Sequence, residues 1–191
     1  MKTEQLIQNF VEQTRLILNK AEALKQLDTQ TLNKREHSES WSILECIEHM
    51  NRYGNFYLPQ IETKIKSSNT KPEAQFNSGL IGGYFAKSML PKEKLNKMKT
   101  FKDKNPLHAK LDKSVIDTFI AQQIKLLDLL SLSRNVSLNK VKITTSISNL
   151  IGMKLGDTFA FYINHMLRHI QQIERIRLST NVSTKPFAQV H

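Results

Sequence analysis

Three histidines of this sequence are arranged as a set of metal ligands would be. His165 and His169 lie four residues apart in the segment INHMLRHIQQI, and an α-helix places such residues on one side, about 5–6 Å apart at Cβ. His49 lies in a separate segment, SWSILECIEHM. If the two segments form neighbouring helices, three neutral imidazoles can hold one divalent metal and leave one coordination position open for chemistry.

Apolar residues recur with a period of about 3.6 in four parts of the sequence, and the histidines lie in two of them. The predicted helices span residues 3–26, 43–66, 113–131 and 157–178. Ser42 and Glu45 form an S-x-x-E capping box that predicts the start of the second helix, and Asp157 is the expected N-cap of the fourth helix. Pro59 falls inside the second stripe and should kink or divide that helix.

The connections between these helices favour an all-α fold with one long crossover. Residues 67–112 separate the second and third helices, and a link of this length indicates that those helices point the same way. Its one apolar segment, GLIGGYFAKSML, could form a small helix. Residues 132–155 are rich in β-branched residues and predict an extended segment, with no sheet larger than a minor hairpin. We expect one four-helix-bundle domain over residues 1–180 and a mobile tail over residues 181–191.

The net charge of +11 lies mainly in one lysine-rich segment. Between Glu62 and Lys113 there are twelve lysines and five acidic residues, an excess of +7, and no arginine. Proteins that read nucleic acid usually include arginine, which binds phosphate and base edges through two parallel hydrogen bonds. We therefore expect a solvated crossover, with nucleic acid or an acidic partner as the less favoured alternative.

Nothing in the sequence predicts export or membrane insertion. The first residues, MKTEQLIQNFVEQ, carry acidic and amide side chains where a signal peptide is apolar. No apolar run approaches the ~18–20 residues that a membrane span needs. Cys46 is the only cysteine, which excludes an internal disulfide. These observations predict a cytoplasmic protein without a membrane partner.

Other side chains near the histidines have simpler interpretations. Cys46 lies one turn before the first histidine and could be a fourth ligand, but a buried structural cysteine is the expected role. Gln172 and Asn164 could orient a ligand imidazole, although surface amides are the default expectation. Trp41 precedes the capping box and is expected to pack as the hydrophobic staple of the second helix. The remaining histidines show no ligand spacing: His37, His108 and His191.

Two ordered motifs carry a resemblance to a known family. They are S-W-S-I-x-E-x-I-x-H, from Ser40 to His49, and H-x-x-x-H-x-x-Q-I, from His165 to Ile173. Together with the long crossover and the G-D opening of the last helix, they resemble the DinB-like superfamily of bacterial proteins, the DinB/YfiT-like metalloenzymes. The resemblance covers the whole chain. It implies a four-helix bundle with up-down-down-up topology, a metal held by His49, His165 and His169, and a homodimer.

The resemblance also implies an expectation about activity. Some proteins that this chain resembles are thiol-dependent transferases, or isomerases that use a small thiol. In such an enzyme the metal would hold the thiol as a thiolate, and the partners would be a small-molecule thiol and an electrophilic substrate. Three imidazoles suit zinc, nickel, iron or copper by ligand type, and we expect zinc or nickel.

Two alternatives to a thiol transferase remain open. A metal-dependent hydrolase would need a general base beside a metal-bound water, usually a carboxylate. Glu45 and Glu48 are the nearest candidates in sequence, but Glu45 belongs to the capping box and Glu48 points away from the apolar stripe. The lack of a clear base therefore favours thiol chemistry. The second alternative is a metal-binding or interaction module without catalysis.

Overall fold

The computed structural model describes residues 1–91, 100–148 and 150–180 and is mostly helical. Within these ranges the chain forms six α-helices and one small antiparallel sheet of two strands. The helices are α1 (Thr3–Leu24), α2 (Thr29–Leu32), α3 (Ile43–Lys66), α4 (Leu80–Ser88), α5 (Ser114–Leu132) and α6 (Leu155–Ser179). The strands are β1 (Lys142–Thr144) and β2 (Gly152–Lys154), and two 3₁₀ turns lie at Lys102–Lys104 and Ser133–Asn135. The predicted tail, residues 181–191, lies outside the described residues.

The four long helices confirm the predicted spans to within two residues at each end. The apolar segment in the crossover forms α4, and the β-branched segment forms the hairpin of β1 and β2, which is the only sheet among the described residues. The short helix α2 was not predicted from the apolar pattern; Asp28 caps it by accepting a hydrogen bond from the Thr31 backbone N–H. None of the helices in the described ranges is both long and apolar enough to cross a membrane.

Helix α3 begins at the predicted capping box and continues through its proline. The Ser42 hydroxyl accepts a hydrogen bond from the Glu45 N–H, and the Glu45 carboxylate accepts one from the Ser42 N–H. Pro59 lies inside the helix and does not divide it. Ile61 and Ile65 are buried beyond the proline. Packing of this apolar face outweighs the hydrogen bond that proline removes.

The Glu45 carboxylate joins three parts of the chain. Its side chain is 1% exposed and accepts two hydrogen bonds from the Arg35 guanidinium, one of 2.8 Å to Oε1. The same carboxylate accepts the backbone N–H of His108 at 2.5 Å, where the backbone has a φ of 64°. The segments before α3 and before α5 are therefore both attached to the first turn of α3.

Asp157 is not the N-cap of α6, because that helix begins at Leu155. The Asp157 carboxylate is buried and accepts hydrogen bonds from the Ser78 hydroxyl at 2.5 Å and from the Gly79 N–H at 2.9 Å. It therefore holds the start of α4 on α6. Gly82 allows this close approach, since a Cβ there would lie 2.6 Å from the Asp157 Cβ.

The core lies between the four long helices. Helix α1 packs against α5 and α6, α3 packs against the same two helices, and α4 lies on α6. The hairpin is attached to α3, where the Tyr57 hydroxyl is 3.1 Å from both the Ser146 hydroxyl and the Ser146 N–H. The largest fully buried aromatic side chains are those of Tyr57, Phe119, Phe159 and Tyr162. Salt bridges also join the helices or the residues that directly follow them: Glu4–Arg134, Lys20–Glu174, Lys25–Asp117 and Glu62–Lys125.

Replacing Glu45 with Ala should lower the free energy of unfolding by about 2–4 kcal/mol, because the change leaves a guanidinium partly buried without its carboxylate and removes a helix cap. Glu4→Ala is the matched control, since Glu4 makes an equivalent pair with Arg134 at an exposed position. We expect it to cost less than ~1 kcal/mol. Urea unfolding followed by circular dichroism measures both, and equal losses would contradict the role assigned to Glu45.

Candidate metal centre

The structure brings the three predicted histidines together between α3 and α6. The Nε2 atom of His165 lies 3.2 Å from Nε2 of His49 and 3.0 Å from Nε2 of His169. All the ligand atoms of the cluster lie within 4.8 Å of one another, and all three side chains are buried. No other group of three histidine, cysteine or acidic side chains in the described part of the chain could hold a metal in this way.

The spacing of the three Nε2 atoms fits a metal ion. Zinc binds imidazole nitrogen at about 2.0–2.1 Å, and a tetrahedral angle then separates two ligand nitrogens by about 3.3 Å. The observed separations of 3.0 and 3.2 Å are close to this value. The cluster therefore needs little movement to become a set of three metal ligands.

Two of the imidazoles have their proton placed away from the cluster. Nδ1 of His49 donates to the backbone carbonyl of Lys104 at 2.7 Å, and Nδ1 of His169 donates to Oε1 of Gln172 at 2.9 Å. Because these oxygens only accept, each neutral ring carries its hydrogen on Nδ1 and presents a lone pair on Nε2. Nδ1 of His165 is buried without a hydrogen-bond partner among the described residues.

All three imidazoles are held in the neutral form. Burial lowers the pKa of His49 to about 4, and it lowers the pKa values of His165 and His169 well below the usual range. The positive charge of Arg168 adds to the lowering for both α6 histidines. Neutral imidazole is the form that binds a metal, so the cluster is ready to do so near pH 7.

Aromatic rings surround the imidazoles. The Trp41 ring lies 4.6 Å from the His49 ring and 5.8 Å from the His169 ring. The Tyr53 ring lies 4.5 Å from the His165 ring. The sequence interpretation treated Trp41 as a helix staple and missed its contact with the imidazoles. The position of Tyr53 near the cluster could be expected from the sequence, because this residue follows His49 by one helical turn.

Of the residues considered as further ligands or orienting groups, only Gln172 contacts the cluster in the described part of the chain. Cys46 is buried, burial raises the pKa of its thiol, and it is not part of the ligand cluster. Gln172 orients His169, as the sequence allowed. Asn164 instead donates to the Ala86 carbonyl and ties α6 to α4. The other two described histidines do not join the cluster either, and His191 lies outside the described residues.

The backbone carbonyl that orients His49 belongs to a segment that α3 also holds at other points. Arg52 donates from one guanidinium nitrogen to the carbonyls of Asp103 at 3.3 Å and Asn105 at 3.1 Å. The Lys104 carbonyl that binds His49 lies between them. Three consecutive carbonyls are therefore turned toward one face of α3.

The cluster lines a cleft of about 830 Å³. The cleft walls come from α3, α4, α6, the hairpin, residues 100–101 and the segment before α3. The acids of the described lining, Glu36 and Glu39, are exposed residues of that last segment. Glu48 is not in the lining and pairs with Arg52 at 2.9 Å. A small molecule in the cleft can reach the imidazoles, and no buried carboxylate in the described lining stands beside them.

Comparison with known proteins agrees with the motifs in the sequence. The family model of the DinB superfamily matches residues 12–173, a span that contains all three clustered histidines. No curated protein and no solved structure matches the chain significantly. The family match covers most of the 191 residues. The chain belongs to the DinB superfamily.

Proposed function

We propose that His49, His165 and His169 hold one divalent transition metal, zinc or nickel, and that the protein is a metal-dependent enzyme that transfers a small thiol to an electrophile. One observation carries the metal: the Nε2 atoms of three buried, neutral imidazoles converge, and those of His49 and His169 present lone pairs. Nε2 of His165 lies within hydrogen-bond distance of both, but its neutral ring has a single N–H hydrogen and can satisfy only one of the two lone pairs. Membership of the DinB superfamily supports the same reading, since proteins of this kind often bind a metal.

The chemistry proposed for the site uses the cluster and the cleft together. A divalent metal bound there would supply the positive charge that favours a thiolate over a thiol at neutral pH. The rings of Trp41 and Tyr53 pack against the imidazoles. In the transfer, the thiol sulfur bonds to the electrophilic carbon, the leaving group takes the electron pair of the broken bond, and the thiol proton passes to solvent.

The arrangement of the acids disfavours the hydrolase alternative. Hydrolysis needs a carboxylate or another base within hydrogen-bond reach of the attacking water. The Glu45 carboxylate is occupied by Arg35 and by two backbone N–H groups, and Glu48 is paired outside the cleft lining.

The size of the cleft disfavours a module that binds metal without catalysis, since a structural site would be closed by a fourth ligand from the protein.

The four long helices are proposed to form an up-down-down-up bundle. Helices α3 and α5 run parallel, as indicated by the contacts Asn51–Val115 and Glu62–Lys125. Helices α1 and α6 also run parallel, as indicated by Phe10–Phe159 and Lys20–Glu174. Helices α1 and α5 run antiparallel, as indicated by two contacts at or just beyond their ends, Lys25–Asp117 and Glu4–Arg134. The single domain over residues 1–180, the homodimer and the cytoplasmic location stay predictions.

Replacing His165 and His169 together with Ala should abolish stoichiometric metal binding, because one imidazole alone makes a weak site. Protein purified without a histidine tag and loaded with zinc should hold about one ion per chain by elemental analysis. His37→Ala is the control, since His37 lines the cleft but is not in the cluster. Full occupancy in the double variant would show that the metal binds elsewhere.

Binding of a small thiol should require the metal and should release close to one proton per site at neutral pH, because a coordinated thiol is deprotonated. Calorimetric titration of 2-mercaptoethanol into zinc-loaded protein, in buffers of different ionisation enthalpy, measures that proton. The metal-free protein is the control. Equal thiol affinity with and without zinc would contradict the proposed chemistry.

A further inference from the structure

Two arginines of α6 lie in the cleft beside the imidazole cluster. Arg168 and Arg175 both line it, as does Gln172, the residue that orients His169. At about 100° per residue, positions 168, 172 and 175 fall within about 60° of one another around the helix. One flank of α6 therefore presents two guanidinium groups to the space into which the imidazoles open.

The charge of Arg168 is in poor contact with water. The residue is 7% exposed, and its burial, followed by the positive charge of Arg175, lowers the pKa of its guanidinium. Even so, an arginine stays charged at neutral pH. The same charge lowers the pKa values of His165 and His169, so it acts on the space that the imidazoles face. A cleft with low-dielectric walls strengthens the attraction of such charges for an anion.

The negative charges in the described cleft lining are exposed to solvent, whereas the charge of Arg168 is buried. Among the described lining residues, the carboxylates are those of Glu36 and Glu39, in an exposed segment at the solvent side. The buried charge in this described lining is that of Arg168, which lies between His165 and His169 in sequence. A small molecule that enters the cleft would therefore meet a cationic group when it reaches the imidazoles.

We propose that Arg168, assisted by Arg175, is a subsite for a carboxylate, and that the thiol taken by this enzyme carries a carboxylate a few atoms from its sulfur. A planar guanidinium binds a carboxylate through two parallel hydrogen bonds, which gives orientation as well as attraction. The subsite would hold such a molecule at its anionic end while its sulfur reaches the imidazole cluster. This inference rests on the thiol chemistry proposed above.

The test compares two thiols of nearly equal size on the zinc-loaded, full-length protein. The probes are 3-mercaptopropionate and its neutral amide, 3-mercaptopropionamide, and calorimetric titration gives the Kd of each. The measured quantity is the ratio of the two Kd values, which cancels effects on thiol binding in general. Arg168→Met should reduce the preference for the carboxylate by about tenfold while leaving the Kd of the amide within about twofold.

Two further variants make the result specific. Arg168→Lys keeps the charge without the planar fork and should retain part of the preference, and it serves as the second variant if the Met form unfolds. Arg134→Met removes a half-buried arginine that pairs with Glu4 outside the described cleft lining, and it should leave the ratio unchanged.

The possible failures are distinct. If the Kd ratio is the same in the wild-type protein and both Arg168 variants, the carboxylate subsite is wrong and the thiol chemistry stands. If neither thiol binds to protein that holds one zinc per chain, the proposed function is wrong and this inference with it.

Discussion

The backbone of residues 103–108 is bound along one face of α3, and the geometry of the metal centre depends on this contact. Glu45, His49 and Arg52 follow one another by about one turn, and each binds this segment. Glu45 accepts the N–H of His108, and His49 donates to the carbonyl of Lys104. If the segment moved, His49 would lose the acceptor that keeps its proton on Nδ1, and its Nε2 lone pair would no longer face the cluster.

The cluster itself adds little to the stability of the fold, since the Nε2 atoms of the three neutral imidazoles can share only one hydrogen, that of His165. Stability must come from the apolar stripes on the same helices. Tyr57 on α3 and Tyr162 on α6 are fully buried, and their ring centroids lie 5.9 Å apart. Each lies within about two turns of a ligand histidine. The two helices thus hold the ligands in place with side chains that take no part in binding a metal.

The helices and the three ligands could be predicted because both depend on periodicity within one helix. Asp157 could not be placed correctly, because its partners Ser78 and Gly79 lie 79 and 78 residues earlier in the chain. A local preference for an N-cap carries no information about such distant donors. The acceptor for His49 is equally hidden from the sequence: it is the backbone carbonyl of Lys104, a group that every residue has.

Trp41 has a practical consequence for studying this protein. It is the only tryptophan in the chain, and its ring lies against His49 and His169. Indole emission responds to polarity and to nearby quenching groups, so the ultraviolet fluorescence of the unlabelled protein reports on its histidine cluster. Loading of the site, exchange of one ion for another and entry of a small molecule into the cleft all occur beside this fluorophore. Each can be followed optically in real time, without a tag that would itself compete for metal.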